Sequence, residues 1–286
     1  MRFILSTGSL WSYSLERLFA FAAEAGFDGL ELLVDMRWET RQAAYLHTLM
    51  HRHQLPILAL HSPFLPNIPG WPHNQPERIS CTVDLASELG AEVVVHHLPQ
   101  RLGSVWVQIP GRFFPVPFPR NQDAPYRRWL EKEYRPFQAT TSVKLCIENM
   151  PAYHRLGRRW NLWHWNSIEE IIQFPNLTMD TTHLGTWGLE PVEIYQKLQG
   201  RVGHIHLSNY DGREHIRPEN GRLHLDQLLS HLSKTGYPGL VSLELQPDDL
   251  GAGQPDQTII DRLKTSLNHC RTWSTPPNNT DQYPHI

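Results

Sequence analysis

Imidazoles and carboxylates recur at one kind of place in this chain, directly after short apolar runs. His61 follows Leu60, and His96-His97 follow Val93-Val94-Val95. Glu148-Asn149 follow Cys146-Ile147, and Asp180 follows Leu177-Thr178-Met179, with His183 three residues on. The run from Val202 to Leu207 carries His204 and His206, His215 comes shortly after it, and Ser242-Leu243 lead into Glu244. Each of these is a metal-ligand type, and a mixed imidazole and carboxylate set suits Zn, Mn, Fe or Co without selecting among them. A carboxylate at the end of an apolar strand is costly to bury unless it is paired or metal-bound, which applies to Glu148 and Glu244. Any single histidine is better read as a hydrogen-bonded core or rim residue. The repetition over six runs is what points to a divalent metal centre. His204 and His206 share a strand face, so at most one of them need be a ligand at the strand end.

The elements that must position these residues alternate. Strands are expected at 4–6, 29–34, 56–60, 93–95, 144–147, 177–179, 202–207 and 239–245. Helices are expected at 14–25, 41–53, 76–89, 125–138, 167–173, 191–198, 225–234 and 257–273. Ser14 reads as an N-cap, Gly26 as the residue after a helix end and Pro76 as a first-turn proline. Eight strands, each followed by a helix, read as an α/β chain of the (β/α)8 barrel type. A doubly wound open sheet would more typically carry a Gly-rich phosphate loop after strand one, and Ser6-Thr7-Gly8-Ser9 is a weak version of that. In a barrel the C-terminal strand ends form the active-site face, which is where the metal-ligand types fall.

Composition sets limits on function. The chain has 286 residues, 40% hydrophobic and 19% charged, enough apolar content to bury a core. Its 26 basic and 29 acidic residues give a net charge of -3, which disfavours nucleic acid as a partner without excluding a local basic patch. No apolar run has membrane-spanning length, and the N-terminus enters a strand-like run with no secretory pattern. Cys81, Cys146 and Cys270 are scattered and odd in number, so neither a disulfide framework nor a thiolate site is expected, and a reducing cytoplasm fits. A single domain is expected over 1–273, with a loose polar tail over 274–286.

The 17 histidines divide. His47, His51, His53, His231 and His269 sit on expected helices, and His73, His154, His164, His224 and His285 in loops or the tail. The remaining seven lie at or beside the barrel mouth. Eight tryptophans (Trp11, Trp38, Trp71, Trp106, Trp160, Trp163, Trp165 and Trp187) also follow strands, as loop anchors or as stacking faces for a sugar or a base. Arg112, Arg120, Arg155, Arg158 and Arg159 lie in the same segments, as solvated charges or as a site for an anionic group. The Pro/Phe-rich stretch over 103–125 is long for a barrel loop. It reads as a lid, as a subunit contact in a homo-oligomer, or as a loop packed on itself.

These residues carry a resemblance. The chain resembles the xylose isomerase-like TIM barrel superfamily, which includes sugar and sugar-phosphate isomerases and epimerases and the apurinic-site endonucleases of the endonuclease IV type. The carriers are Leu60-His61-Ser62-Pro63-Phe64, Val94-Val95-His96-His97, Ile147-Glu148-Asn149-Met150-Pro151, Met179-Asp180-Thr181-Thr182-His183, His204-Ile205-His206-Leu207-Ser208-Asn209 and Leu243-Glu244. The resemblance covers about residues 2–272 and is weakest over about 100–140. For the isomerase branch it implies one divalent metal on Glu148, Asp180, His206 and Glu244. Glu148 and Glu244 would form the acid/base pair that moves a proton between adjacent carbons of a small carbohydrate. His183 and Arg213 resemble substrate contacts of that branch, and Trp11 and Trp187 are further candidates at the mouth. For the endonuclease branch it implies several zinc ions on His61, His97, Glu148, Asp180, His183, His206 and Glu244, with His215 as an eighth ligand. That pattern has an Asp two residues before the last histidine, where this chain has Arg213.

Overall fold

The computed structural model describes residues 1–275 apart from 66, 110–111, 120–122 and 156, with only the backbone described over 102–109, 112–119 and at 199. Eight parallel strands close into a barrel: β1 (Arg2–Ser6), β2 (Gly29–Leu33), β3 (Ile57–His61), β4 (Val93–His97), β7 (Lys144–Glu148), β10 (Leu177–Asp180), β11 (Val202–Leu207) and β12 (Leu240–Leu243). The closing pair is β1 with β12, registered as Ile4 opposite Ser242. This is the (β/α)8 TIM barrel expected from the alternating pattern.

The helices form for reasons visible in the sequence. In α1 (Leu15–Ala25) the Ser14 side chain accepts from the Arg17 N–H, and Gly26 ends the helix at a φ of 89°, where an L side chain would be strained. Helices α2 (Ala43–His53) and α3 (Gln75–Leu89) follow β2 and β3. Asn74 caps α3, with Pro76 in its first turn. The helix expected over 125–138 is two helices, α4 (Ala124–Lys132) and α5 (Tyr134–Gln138). Pro136 explains the break: its ring would clash with the carbonyl four residues back and it has no N–H to donate.

Later in the chain, α6 (Ile168–Ile171) opens on a complete capping box between Ser167 and Glu170. It is followed by α7 (Thr181–Trp187) and α8 (Pro191–Leu198). In α9 (Leu225–Lys234) the buried residues are Leu225, Leu228, Leu229 and Leu232, the spacing of one helix face. A short α10 (Pro247–Leu250) precedes α11 (Asp256–Trp273). No helix among the described residues is long and apolar enough to cross a membrane.

Two segments depart from the expected loops. The stretch after β4 is an antiparallel hairpin, β5 (Leu102–Ile109) with β6 (Arg112–Pro119). Pro115, Pro117 and Pro119 stand two apart, so their nitrogens share the edge of β6 that faces away from β5, the one place a strand tolerates them. After β7 a smaller hairpin, β8 (Tyr153–Arg155) with β9 (Arg158–Trp160), carries Arg155, Arg158 and Arg159. Of the expected tail, 276–286 lies outside the described residues.

Register brings the functional side chains to one face. Across parallel ladders Leu33 pairs with His61, His97 with Glu148, and Asp180 with His206, and His206 in turn with Ser242. Partners in such a ladder point to the same side, so these residues look into the barrel near its C-terminal mouth. Beneath them Ile4, Ala59, Val93, Val95, Cys146 and Leu240 form a small apolar interior. The main core lies between barrel and helices.

Candidate metal centre at the barrel mouth

Glu148 is the hub. Its Oε1 lies 3.0 Å from His206 Nδ1 and 3.5 Å from His183 Nδ1. Its Oε2 lies 3.2 Å from His97 Nε2 and 3.4 Å from His61 Nε2. Glu244 reaches the same His206 Nδ1 at 2.8 Å, and Asp180 Oδ2 stands 3.8 Å from it. Ligand atoms of Glu148, Asp180, His206 and Glu244 all lie within 4.8 Å of one another. Two further groups adjoin this one: His61, His97 and Glu148, and Asp180, His183 and His215.

The donor chemistry fits a divalent cation. Bonds from such an ion to imidazole nitrogen or carboxylate oxygen are about 2.0–2.2 Å, and ligand atoms within 4.8 Å of one another are close enough that they could share one ion. Asp180 gives the sharper test. Its Oδ1 accepts from the His183 main-chain N–H at 2.8 Å, whereas its Oδ2 is buried with no hydrogen-bond partner. An unpartnered carboxylate oxygen is costly in a protein interior, and a cation removes that cost.

Electrostatics say the same. Burial, together with repulsion from Glu148, pushes the Asp180 carboxyl well above its ordinary range against the pull of His215. Burial would also raise Glu148, but the His206 charge and hydrogen bonds from His206, His61 and His97 bring it well below the usual value. Burial is likewise outweighed at Glu244, where His206 and His215 hold the carboxyl at about 2. Burial disfavours a charged His206, yet Glu31, Glu244 and Glu148 raise it well above the ordinary histidine value. Carboxylates and protons are thus crowded around one point that a divalent ion would neutralise.

Orientation of the imidazoles follows from their second nitrogens. His61 Nδ1 lies 2.9 Å from the Ser62 carbonyl and His183 Nδ1 2.8 Å from the Asn149 carbonyl. Each ring therefore donates from Nδ1, which leaves Nε2 as the atom that could serve a metal once it carries no proton; at His61 that Nε2 is the atom beside Glu148. His206 is the reverse: its Nε2 faces Glu31 at 3.0 Å and its Nδ1 faces the cluster.

His96 and His204 are not in these mouth contacts. Alternation turns His96 outward, where its Nδ1 donates to the Tyr126 hydroxyl at 2.8 Å, and that hydroxyl donates to the His97 carbonyl at 2.7 Å. Burial holds His96 down at about 3, so it is neutral. His204 points inward one level below His206 and bonds Glu31 at 2.6 Å. Glu31 is the residue that a search restricted to strand ends does not find. It sits mid-strand in Gly29-Leu30-Glu31-Leu32-Leu33, and the signal is the one that marks Glu148 and Glu244, a lone carboxylate in an apolar run.

His215 is pinned at a φ of 56°. Its N–H donates to Thr182 Oγ1 and its carbonyl accepts from Gln246 N–H at 2.7 Å. Its ring packs 5.4 Å from that of His183.

A family model for the xylose isomerase-like TIM barrel matches residues 19–270. The chain belongs to that family. An uncharacterized protein of Mycobacterium leprae is 23% identical over 292 residues, spanning 94% of this chain and 96% of its own. Among solved structures, a D-psicose 3-epimerase from Clostridium cellulolyticum with D-tagatose superposes with a TM-score of 0.66 at 15% identity, covering 96% and 99% of the two chains. A family 2 AP endonuclease from Brucella melitensis superposes with a TM-score of 0.62 at 17% identity, covering 86% and 93%. At such identities the superpositions speak to fold.

Around the centre of this xylose isomerase-like barrel the remaining expected residues are scattered. Phe64 is half exposed and stacks 5.2 Å from the His97 ring, and Trp163 meets that ring edge-on at 6.1 Å. Trp187, expected in a loop, lies in α7 with its indole N–H bonded to the Met150 carbonyl at 3.0 Å. Trp11 stands 62% exposed in the turn after β1. The Arg213 side chain is 72% exposed and paired with Asp211 at 2.7 Å, outside the clustered groups. Arg159 donates to the Trp187 carbonyl. The side chains of Trp106, Arg112 and Arg120 lie outside the described residues. A hollow of about 510 Å3 lined by Met1, Phe3, Tyr237 and Arg271 opens at the opposite end of the barrel, away from every group above.

Proposed function

We propose that this chain is a divalent-metal-dependent isomerase or epimerase that acts on a small sugar or sugar phosphate by moving a proton between adjacent carbons. The observation that carries the reading is that Glu148 and Glu244, from β7 and from just beyond β12, approach the same nitrogen of His206 at 3.0 and 2.8 Å. Two carboxylates from well-separated strands thus flank one point beside Asp180.

Glu148, Asp180, His206 and Glu244 would hold the ion, which supplies polarisation of the substrate oxygens and so acidifies the neighbouring C–H. The proton chemistry belongs to the glutamates. Both are ionised, so either can accept the carbon-bound proton. That glutamate would return the same proton to the neighbouring carbon, whereas inversion at one carbon would need the partner to take a proton from solvent and deliver it to the opposite face while the first glutamate releases its own to solvent. No net proton is consumed. The Glu244 side chain is 26% exposed and that of Glu148 only 2%, so Glu244 is the more open of the two to the mouth.

His183, with Nε2 open, would contact a substrate oxygen, and Trp11 and Trp187 would offer ring faces to the sugar. Arg213 would reach an anionic group after releasing Asp211.

Incubation of ketoses and their phosphates with the metal-loaded protein in D2O tests the reading. Solvent deuterium at the carbon beside the carbonyl supports it, and inert substrates across a panel of pentoses and hexoses contradict it.

A second reading is a multi-zinc phosphodiesterase of the apurinic-site endonuclease type. The specific observation in its favour is the pair of additional groups, His61–His97–Glu148 and Asp180–His183–His215, beside the first. Cleavage of an abasic duplex is its test.

A further inference from the structure

We infer that Glu31 is a positioning residue for the metal centre, acting through His206 from across the barrel. The inference rests on the proposed metal site and assigns that site a buried support.

Glu31 lies on β2 and His206 on β11, and the strand order places β1 and β12 between them. They are not ladder neighbours, so their side chains meet through the barrel interior. Glu31 Oε1 is 3.0 Å and Oε2 3.2 Å from His206 Nε2, while Oε2 is 2.6 Å from His204 Nε2. All three residues have zero exposed surface. A carboxylate can accept from both imidazoles at once, and the two donors fix its plane.

The consequence falls on the other side of the His206 ring. With Nε2–H committed to Glu31, Nδ1 is the nitrogen left for Glu148, Glu244 and a bound ion. Turning the ring over would put carbon where Nδ1 is and strand the buried Glu31 charge, which is strongly unfavourable. A carboxylate behind a ligating imidazole also increases its basicity as a ligand. His204 completes the support by occupying the second oxygen of Glu31. Its own Nδ1 has no partner, so His204 contributes one bond, and that bond goes to Glu31. Barrel interiors are ordinarily filled by branched aliphatic side chains. A buried glutamate and histidine one level below the mouth therefore call for a role, and holding His206 supplies one.

The test is metal affinity, measured on the full chain by competition of Zn2+ and Co2+ with a chromophoric chelator. Glu31→Gln is expected to weaken binding about 10- to 100-fold and to shift the visible spectrum of the Co2+ form, while Glu92→Gln, at a surface pair with Arg2, leaves both unchanged. Unaltered affinity and spectrum in folded Glu31→Gln would overturn the inference even where wild-type binds metal. Should Glu31→Gln fail to fold, His204→Gln reads the same support from its other end: weaker Co2+ binding supports it and wild-type affinity overturns it. A wild-type chain that binds neither ion removes the metal-site reading itself and this inference with it.

Discussion

The carboxylate of Asp180 is split by His183: one oxygen accepts the His183 main-chain N–H at 2.8 Å and the other, buried, has no hydrogen-bond partner and stands 3.8 Å from His206 Nδ1. One oxygen therefore caps α7 and the other is the one proposed to meet a cation, and substitution separates the two. Asp180→Asn keeps an acceptor for the cap and relieves repulsion with Glu148, so its melting temperature should not fall. Its metal affinity should fall by at least about 10-fold, on the scale of losing a single ligand or its support. Asp180→Ala loses the cap as well, at about 1 kcal/mol. Calorimetry paired with chelator competition checks both, and an Asn variant with wild-type metal affinity would be the contrary result.

Glu148 and Glu244 should differ in stability although both are needed for chemistry. Each Glu→Gln variant should lower kcat by about 10^2- to 10^4-fold, the usual contribution of a positioned acid or base. Glu148 contacts four imidazoles in the interior, so its Gln variant should also unfold more readily. Glu244, a quarter exposed, should melt close to wild type. Wild-type turnover in either variant with full metal content removes that glutamate from the mechanism.

Metal uptake should tighten as pH rises. Asp180 and His206 both have pKa values raised by their surroundings, so each keeps its proton to higher pH than usual. A cation must displace those protons, and the displacement becomes easier with increasing pH. Dissociation constants measured between about pH 5.5 and 8 should therefore fall, with proton release seen in calorimetry run in buffers of different ionisation enthalpy. A pH-independent constant would count against displacement at these two groups.

Arg213 should affect substrate binding alone. Its side chain is exposed and outside the clustered groups, so Arg213→Ala should leave metal content and melting temperature unchanged. The expected effect is a higher KM for a phosphorylated substrate than for its neutral sugar. Equal KM values for both, in wild type and variant, would remove Arg213 from recognition.

Much of the barrel is legible from local signals. Gly26 and Gly90 end α1 and α3 in the left-handed region, at φ of 89° and 73°, and the apolar runs that follow become strands. The mouth residues were legible because a barrel fixes which strand ends converge. Strand alternation then divides His96 from His97, which adjacency alone does not. The hairpin over 102–119 was hidden because prolines at 115, 117 and 119 argue against a strand unless one edge is unpaired, and that is a property of the fold. Glu31 carries a local mark, a lone carboxylate in an apolar run, but not the identity of what it meets. Its partners are on a strand across the barrel, and the sequence carries no local trace of that meeting.

We propose a single divalent centre held by Glu148, Asp180, His206 and Glu244. Elemental analysis of the purified, dialysed protein tests it most directly. About one divalent ion per chain, lost in Asp180→Asn, is the predicted result. Two or three zinc ions per chain would contradict it and move the assignment to the phosphodiesterase reading.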